Sequence, residues 1–412
     1  MPSPAPAPIA PPTAASSSAP RTGPLVALLT AGRDKPYALG LGPALADAGL
    51  AVDFIGSNDV NGPEIAARPR IRFLNLRRDQ SVDAVFAAKT VRVFAYYARL
   101  VAYAFRSHAP VFHLLWNNKF EHLDRTFLML LYRLLGKRVV LTVHNVNAGE
   151  RDGNDSWLNR LTLRIQYRLC HHLFVHTRRM RDELVRGYRV LADRVSVIPF
   201  GINNTLPSTN LSSAEARVRL GLGAEDRVLL FFGNIAPYKG LDGLVEAFAG
   251  LASRDPALRL VIAGRPKGAE SHWAAIERRI TRAGLDDRVR RFIEYIPDER
   301  VEVFFKAADV FVLPYLHVFQ SGVLFLGYSF GLPVVATDVG ALREEILEGQ
   351  TGFVCRPQDS ADLAAKLATF FSSPLHHNRE HSTTEIRAYA NRQYSWTTVA
   401  EATRAVYERL LR

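Results

Sequence analysis

The stretch FFGNIAPYKGLDGLVEAF, residues 231–248, sets one lysine, Lys239, in a turn between an apolar strand and a helix. A strand, a glycine break at Gly233 and a helix N-terminus bring backbone N–H groups and the positive end of a helix dipole to one place, which suits an anion. Lys239 adds a full charge there, and Asn234 and Gly240 share the turn. Two further strand ends offer similar groups. IAGRPKG supplies Gly264, Arg265 and Lys267, and FQSGVLFLGYSFGLPVV places Gln320, Ser321 and Gly322 at the start of an apolar helix. Cations and a helix N-terminus converging from neighbouring strand ends match a diphosphate better than a single carboxylate.

The first half has its own polar loop. His144 ends the strand VVLTVH, and Asn145, Asn147, Glu150, Arg151 and Asp152 crowd the residues after it. A loop so polar behind a buried strand is a place for binding or acid–base work, with Glu150 or Asp152 as a candidate base. The run CHHLFVHT invites a metal reading. However, His172 and His176, four residues apart on a strand, stand ~13 Å from each other, too far to share one ion.

Strand-like runs alternate with helical segments throughout. LVALLTAG, RIRFLNL, VFHLLW, RVVLTVH, HLFVHT and RVSVIPF form a first series that ends near Phe200. RVLLFFG, LRLVIAG, VRRFIEYI, VFVLPY, LPVVATD and TGFVCR form a second. Such alternation predicts α/β halves, each a mostly parallel sheet covered on both faces. Ligands bind such sheets beyond the C-terminal strand ends. The Gly-, Asn- and Pro-containing stretch GINNTLPSTNLSSAEARVRLGL reads as a linker between them. The expected division is a disordered tail over 1–23, domains over 24–204 and 205–390, and a closing helix over 391–412 capped at Thr397 or Thr398.

Composition narrows the class. The 412 residues carry a formal charge of +12, with 27 Lys and Arg against 15 Asp and Glu in residues 1–206, and 25 against 25 in the remainder. The excess therefore sits wholly in the first half, a footprint for an anionic partner such as a membrane surface. Lys89, Arg92, Arg99 and Arg106 share a helical face, and Arg68, Arg70, Arg72, Arg77 and Arg78 add to it, marking a bilayer or polyprenyl-phosphate site or a solvated face. No nucleic-acid-binding motif is present, and LLTAGRDKPYALG lacks the G-x-G-x-x-G of a dinucleotide enzyme. The two cysteines, Cys170 and Cys355, read as reduced thiols, and the Pro- and Ala-rich start lacks a signal-peptide pattern. Both features predict a cytoplasmic protein, peripheral to the inner face of a membrane if the basic half docks there.

The second half resembles the donor domain of glycosyltransferase family 4. GNIAPYKGLDGLVEAF, LVIAGRPKG, FIEYIPDERVEVFFKAADVFVLPY, FGLPVVATDVGALREEI and GQTGFVCRPQDSADLAAKL follow that family's order over residues 225–370. VIPFGIN resembles its domain junction, YSWTTVAEATRAVYERLL its return helix, and LTVHNVNAGERD, more loosely, its first domain. The resemblance implies a GT-B fold, two Rossmann-like domains facing across a cleft. It also implies a retaining transfer of a hexose from a UDP- or GDP-sugar, without a metal, to a sugar or polyprenyl-phosphate-linked acceptor in polysaccharide or glycolipid assembly.

Residue by residue, the resemblance gives Lys239 the donor diphosphate and His144 the donor sugar. Gly233, Asn234, Gly264, Arg265, Gln320, Ser321 and Gly322 line the donor site. Base contacts fall to the main chain around Tyr295 and Ile296, and Asn145, Asn147, Glu150 and Arg151 face the acceptor. Two departures stand out. Asn234 replaces an arginine, and the family's paired glutamates fall at Val318 and Leu326, so that Gln320, Ser321 and backbone N–H groups must take over. A catalytically degenerate scaffold subunit and a nucleotide-sugar epimerase of the same fold are the alternative readings.

Overall fold

A computed structural model describes residues 25–31, 35–78, 86–151, 155–202, 206, 208–266, 268–318 and 320–412. The expected tail over 1–23, Asp152 and Lys267 lie outside the described residues.

The first sheet contains β1 (Leu25–Leu29), β2 (Ala51–Ile55), β3 (Ile71–Leu74), β4 (Val111–Leu114), β5 (Arg138–Thr142), β6 (His172–Val175) and β7 (Val195–Val197). Their spatial order is β3-β2-β1-β4-β5-β6-β7, every pairing parallel. The second sheet contains β8 (Arg227–Phe232), β9 (Leu258–Ala263), β10 (Val289–Phe292), β11 (Val310–Leu313), β12 (Val334–Thr337) and β13 (Gly352–Cys355), ordered β10-β9-β8-β11-β12-β13 and again parallel. Helices cover both faces, which is why strands such as VFHL, VFVL and VVAT are buried at every position. Cys170 and Cys355 are buried free thiols, each pushed up to about 12 by burial.

In each sheet the strand order reverses beside the first strand, so the loops after β1 and β4, and those after β8 and β11, part there and open a crevice. The two sheets are joined where the chain crosses between them. Phe200 stacks on Phe325 with centroids 5.3 Å apart, and Ile202 N–H donates to the Tyr394 carbonyl at 2.8 Å. The last helix, Trp396–Leu411, then returns to the first sheet: Arg404 donates to the Ala48 carbonyl at 3.0 Å, and the Tyr407 hydroxyl meets His113 Nδ1 at 2.5 Å.

Three local expectations are corrected. The closing helix is capped at Ser395, whose extended backbone lets its hydroxyl accept from Thr398 N–H, and not at Thr397 or Thr398. The stretch read as linker contains a helix, Ser213–Arg219, because Ser212 and Glu215 form a reciprocal capping box. Finally, β5 stops at Thr142, so His144 stands in the loop beyond the strand.

Candidate active site at the facing strand ends

In the second domain, the loops after β8 and β11 meet over Lys239. Its side chain is only 7% exposed. Its Nζ donates to the Tyr315 hydroxyl at 2.6 Å and lies 4.1 Å from the centre of that ring. Among the described residues none of its partners is a carboxylate: they are a hydroxyl and the faces of Tyr315 and Tyr238. A buried cation without a counter-charge is costly unless an anion arrives. Ser321, at the N-cap position of the apolar helix Gly322–Ser329, donates its hydroxyl to Tyr315 at 3.3 Å, so the helix N-terminus belongs to the same site. Next to it, both polar atoms of the Gln320 amide are buried with no hydrogen-bond partner among the described residues.

Glycine makes this convergence possible. Gly240 has φ +65°, and a Cβ there would stand 1.9 Å from the Pro314 carbonyl oxygen. Gly264, at φ +144°, would place a Cβ 1.9 Å from the oxygen of Gly233. Ile235 N–H donates to the Arg265 carbonyl at 2.9 Å, which sets Asn234 and Arg265 on adjacent loops; both side chains are exposed. The Arg265 guanidinium lies over Tyr295, itself 62% exposed, whereas Ile296 is buried in the core.

On the opposite side, strand ends of the first sheet build an aromatic cage around His144. Its ring stacks on Trp116 at 4.1 Å with an interplanar angle of 3°, and Tyr37 meets it edge-on at 4.7 Å. His176 Nε2 lies 3.2 Å from His144 Nδ1, while His176 Nδ1 faces the Ile198 carbonyl at 3.3 Å. Burial holds His176 down at about 4, and burial together with the neighbouring His176 holds His144 well below the usual histidine range. Both rings are therefore neutral. Since a carbonyl only accepts, His176 carries its proton on Nδ1 and accepts at Nε2, so His144 donates from Nδ1. His144 Nε2 is left as a bare acceptor, buried and with no partner among the described residues.

The two centres are linked through Phe200. It lies 6.1 Å from His144, and a Cβ on Gly322 would touch it at 3.4 Å. Between them, Tyr37, Phe200, Gly322, Val323, Leu326 and Trp396 line a cavity of ≈ 320 Å³. At the two positions where the resembled family carries glutamates, Leu326 is buried in this lining and Val318 packs on the second core.

The other acceptor-side candidates separate. Asn147 is fully buried, and its carbonyl oxygen accepts from Asn159 Nδ2 at 2.8 Å and Glu150 N–H at 3.4 Å, so its amide holds the loop together. Asn145 is half-buried, Glu150 is exposed, and Arg151 closes the short helix Ala148–Arg151. His172 bonds Ser196 at 2.9 Å, and no group of three potential metal ligands exists among the described residues. Sequence reasoning overlooked Tyr315, Trp116 and Tyr37, as well as a polar knot behind β4. There Asn118 donates to Asp124 from its backbone and its amide, Tyr96 donates to Asn118 at 2.8 Å, and burial raises Asp124 to about 6. The run WNN at 116–118, just beyond a strand, was the available signal.

This arrangement agrees with known families. The pattern described as Glycosyltransferase Family 4 matches residues 36–206, and that described as Glycosyl transferases group 1 matches residues 226–373. The chain carries a glycosyltransferase family 4 domain followed by a group 1 glycosyltransferase domain. The D-inositol 3-phosphate glycosyltransferase of Corynebacterium efficiens is 32% identical over 201 residues, 48% of this chain and 47% of that relative. The chain spans about half the length of the curated relatives it matches. Sucrose-phosphate synthase from Thermosynechococcus elongatus superposes with a TM-score of 0.71 over 94% of this chain and 99% of its own, at 21% identity. Anabaena HepE, solved in complex with UDP, gives 0.69 over 94% and 100%, at 16% identity. These likenesses show a shared GT-B fold.

Proposed function

We propose that this protein is a glycosyltransferase that moves a hexose, with retention, from a UDP- or GDP-sugar to a sugar or polyprenyl-phosphate-linked acceptor during polysaccharide or glycolipid assembly. The observation that carries this reading is Lys239: a buried cation held by a hydroxyl and ring faces, with no carboxylate among its partners, at the reversal point of a parallel sheet. A donor diphosphate supplies the missing negative charge. Arg265 and Asn234 reach it from the adjacent loops, with Gly233 and Gly264 letting the backbone approach, and Gln320, Ser321 and Gly322 present an amide and helix N–H groups. The base lies along the main chain at Tyr295 and Ile296.

As the glycosidic bond breaks, negative charge grows on the leaving diphosphate, and preorganised donors stabilise that charge more than the ground state. Lys239 and the helix end supply the positive charge, so the step needs no metal ion. His144 Nε2 accepts a hydrogen bond from a hydroxyl of the donor sugar and orients the ring. The leaving phosphate oxygen takes the acceptor's proton, leaving Glu150, Asn145 and Arg151 to bind the acceptor. Because the curated relatives carry the name D-inositol 3-phosphate glycosyltransferase, inositol phosphate belongs beside lipid-linked phosphates in an acceptor panel.

Calorimetry with UDP, GDP and ADP, and with their sugar conjugates, on wild type and Lys239→Ala tests the proposal. One diphosphate binds and the variant loses it. Absence of binding to wild type overturns the reading, and apolar Val318 and Leu326 then mark a scaffold subunit. Donor isomerisation without an acceptor would point instead to an epimerase.

A further inference from the structure

We propose that the outer face of three neighbouring helical segments in the first domain is a docking surface for an anionic lipid bilayer. Along the helix Phe86–Arg106, Val91, Phe94 and Phe105 point outward, each more than three-fifths exposed. The helical run 121–134, which widens to a π turn over Asp124–Leu128, exposes Leu123, Phe127, Leu130 and Leu134 at spacings of four and three, so they share one stripe. Leu134 is 77% exposed. The helix Trp157–Leu169 adds Leu158, Leu161 and Trp157, the last 73% exposed.

The three segments form one surface. Phe94 meets Phe120 at 5.9 Å, Arg125 donates to Asn159 at 2.7 Å, and Arg133 donates to the Leu169 carbonyl at 3.0 Å. Single exposed apolar residues are ordinary, but a contiguous ridge of this length marks an interaction face.

Charge identifies the occupant. The helices Phe86–Arg106 and Trp157–Leu169 hold no Asp or Glu and expose Arg106, Arg164 and Arg168, while Arg160 is paired with Asp155, Arg99 bonds the Leu76 carbonyl, and the run 121–134 between them carries two residues of each sign. Apolar residues flanked by cations suit lipid headgroups, with the rings and leucines inserted at the acyl boundary. A second copy of the chain would bring two such cationic faces together, and like charges oppose that pairing. Arg68 and Arg72 do not contribute, because they are spent on Asp47 and Asp53. No described helix is long and apolar enough to cross a membrane, so the contact is interfacial. The surface is independent of the donor chemistry, since docking needs no nucleotide.

Vesicle co-sedimentation of the full chain tests the inference, using phosphatidylcholine alone and phosphatidylcholine with phosphatidylglycerol at roughly 7:3. Wild type pellets with the mixed vesicles and scarcely with the neutral ones, and high salt weakens the binding. Phe127→Glu with Leu134→Glu, and separately Arg164→Glu with Arg168→Glu, lowers the partition coefficient about tenfold or more. The thermal midpoints and diphosphate binding stay unchanged, since these side chains are exposed. Wild type remaining in the supernatant with both vesicles overturns the proposal, as does equal binding by the apolar double variant. A dimer that this variant converts to monomer, without vesicle binding, shows that a second copy occupies the face.

Discussion

Two side chains carry opposite electrostatic duties. Lys239 brings charge into a buried site, so Lys239→Ala lowers kcat by a factor of about 100 to 1,000, as loss of one preorganised donor does, with the thermal midpoint little changed or raised. Steady-state kinetics alongside a melting curve check this. His144 does the reverse: its neighbours keep it neutral and leave an acceptor lone pair at Nε2. His144→Phe therefore costs about tenfold in kcat, the value of one neutral hydrogen bond, while the profile of kcat from about pH 6 to 8 keeps its shape because no imidazolium forms there. A limb in wild type that disappears in the variant would contradict the neutral assignment. Lys239 and the turn around it were legible in the sequence, since a strand, a glycine and a helix start are local signals. Its partner Tyr315 was not, because it lies 76 positions away and meets the lysine only once β11 lies against β8.

Among the elements, the strand-end loops are the most tightly constrained. Gly240→Ala sets a Cβ against the Pro314 carbonyl at a positive φ, so the β8 and β11 loops must separate. The expected result is a destabilisation of about 1–3 kcal/mol together with weakened diphosphate binding. Chemical denaturation and calorimetry on one preparation read both. Such a glycine is visible in the sequence as a turn residue, but which backbone it abuts is not. Helix starts behave similarly. Residues 395–398 contain three hydroxyl side chains, and only the geometry of the chain turning out of Tyr394 selects Ser395 as the cap. The basic stretch at 68–78 shows what a run of arginines leaves open: Arg72 is paired with fully buried Asp53, and Arg68 with Asp47.

For the whole molecule, the segment that leaves the second domain and returns to the first is titratable at both ends. Tyr394 donates to Glu345, whose carboxyl burial raises to about 7. Because the folded value exceeds the unfolded one near 4.5, the folded state holds the proton more tightly. This contribution is complete below about pH 4.5 and is lost as pH rises through 7, amounting to about 3 kcal/mol. Glu345→Gln should melt higher than wild type at about pH 8 and alike at about pH 4; equal midpoints at both would refute it. At the other end, His113, between Tyr407 and Thr142, is pushed down to about 3 by burial. Its contribution is present above about pH 6.5 and lost as pH falls toward 3, so His113→Gln should flatten the acid limb of the stability curve. By itself the sequence determined the alternation of strands and helices, hence two parallel sheets, and the anion-binding turn at Lys239, because periodicity and turn chemistry act between near neighbours. The tertiary structure alone decided the order of strands, the aromatic cage that neutralises His144, the apolar lining at Leu326 and the spent arginines. Each of these depends on which distant residue fills the space beside a side chain, and burial, which sets charge state and partner, arises only when the sheets have assembled.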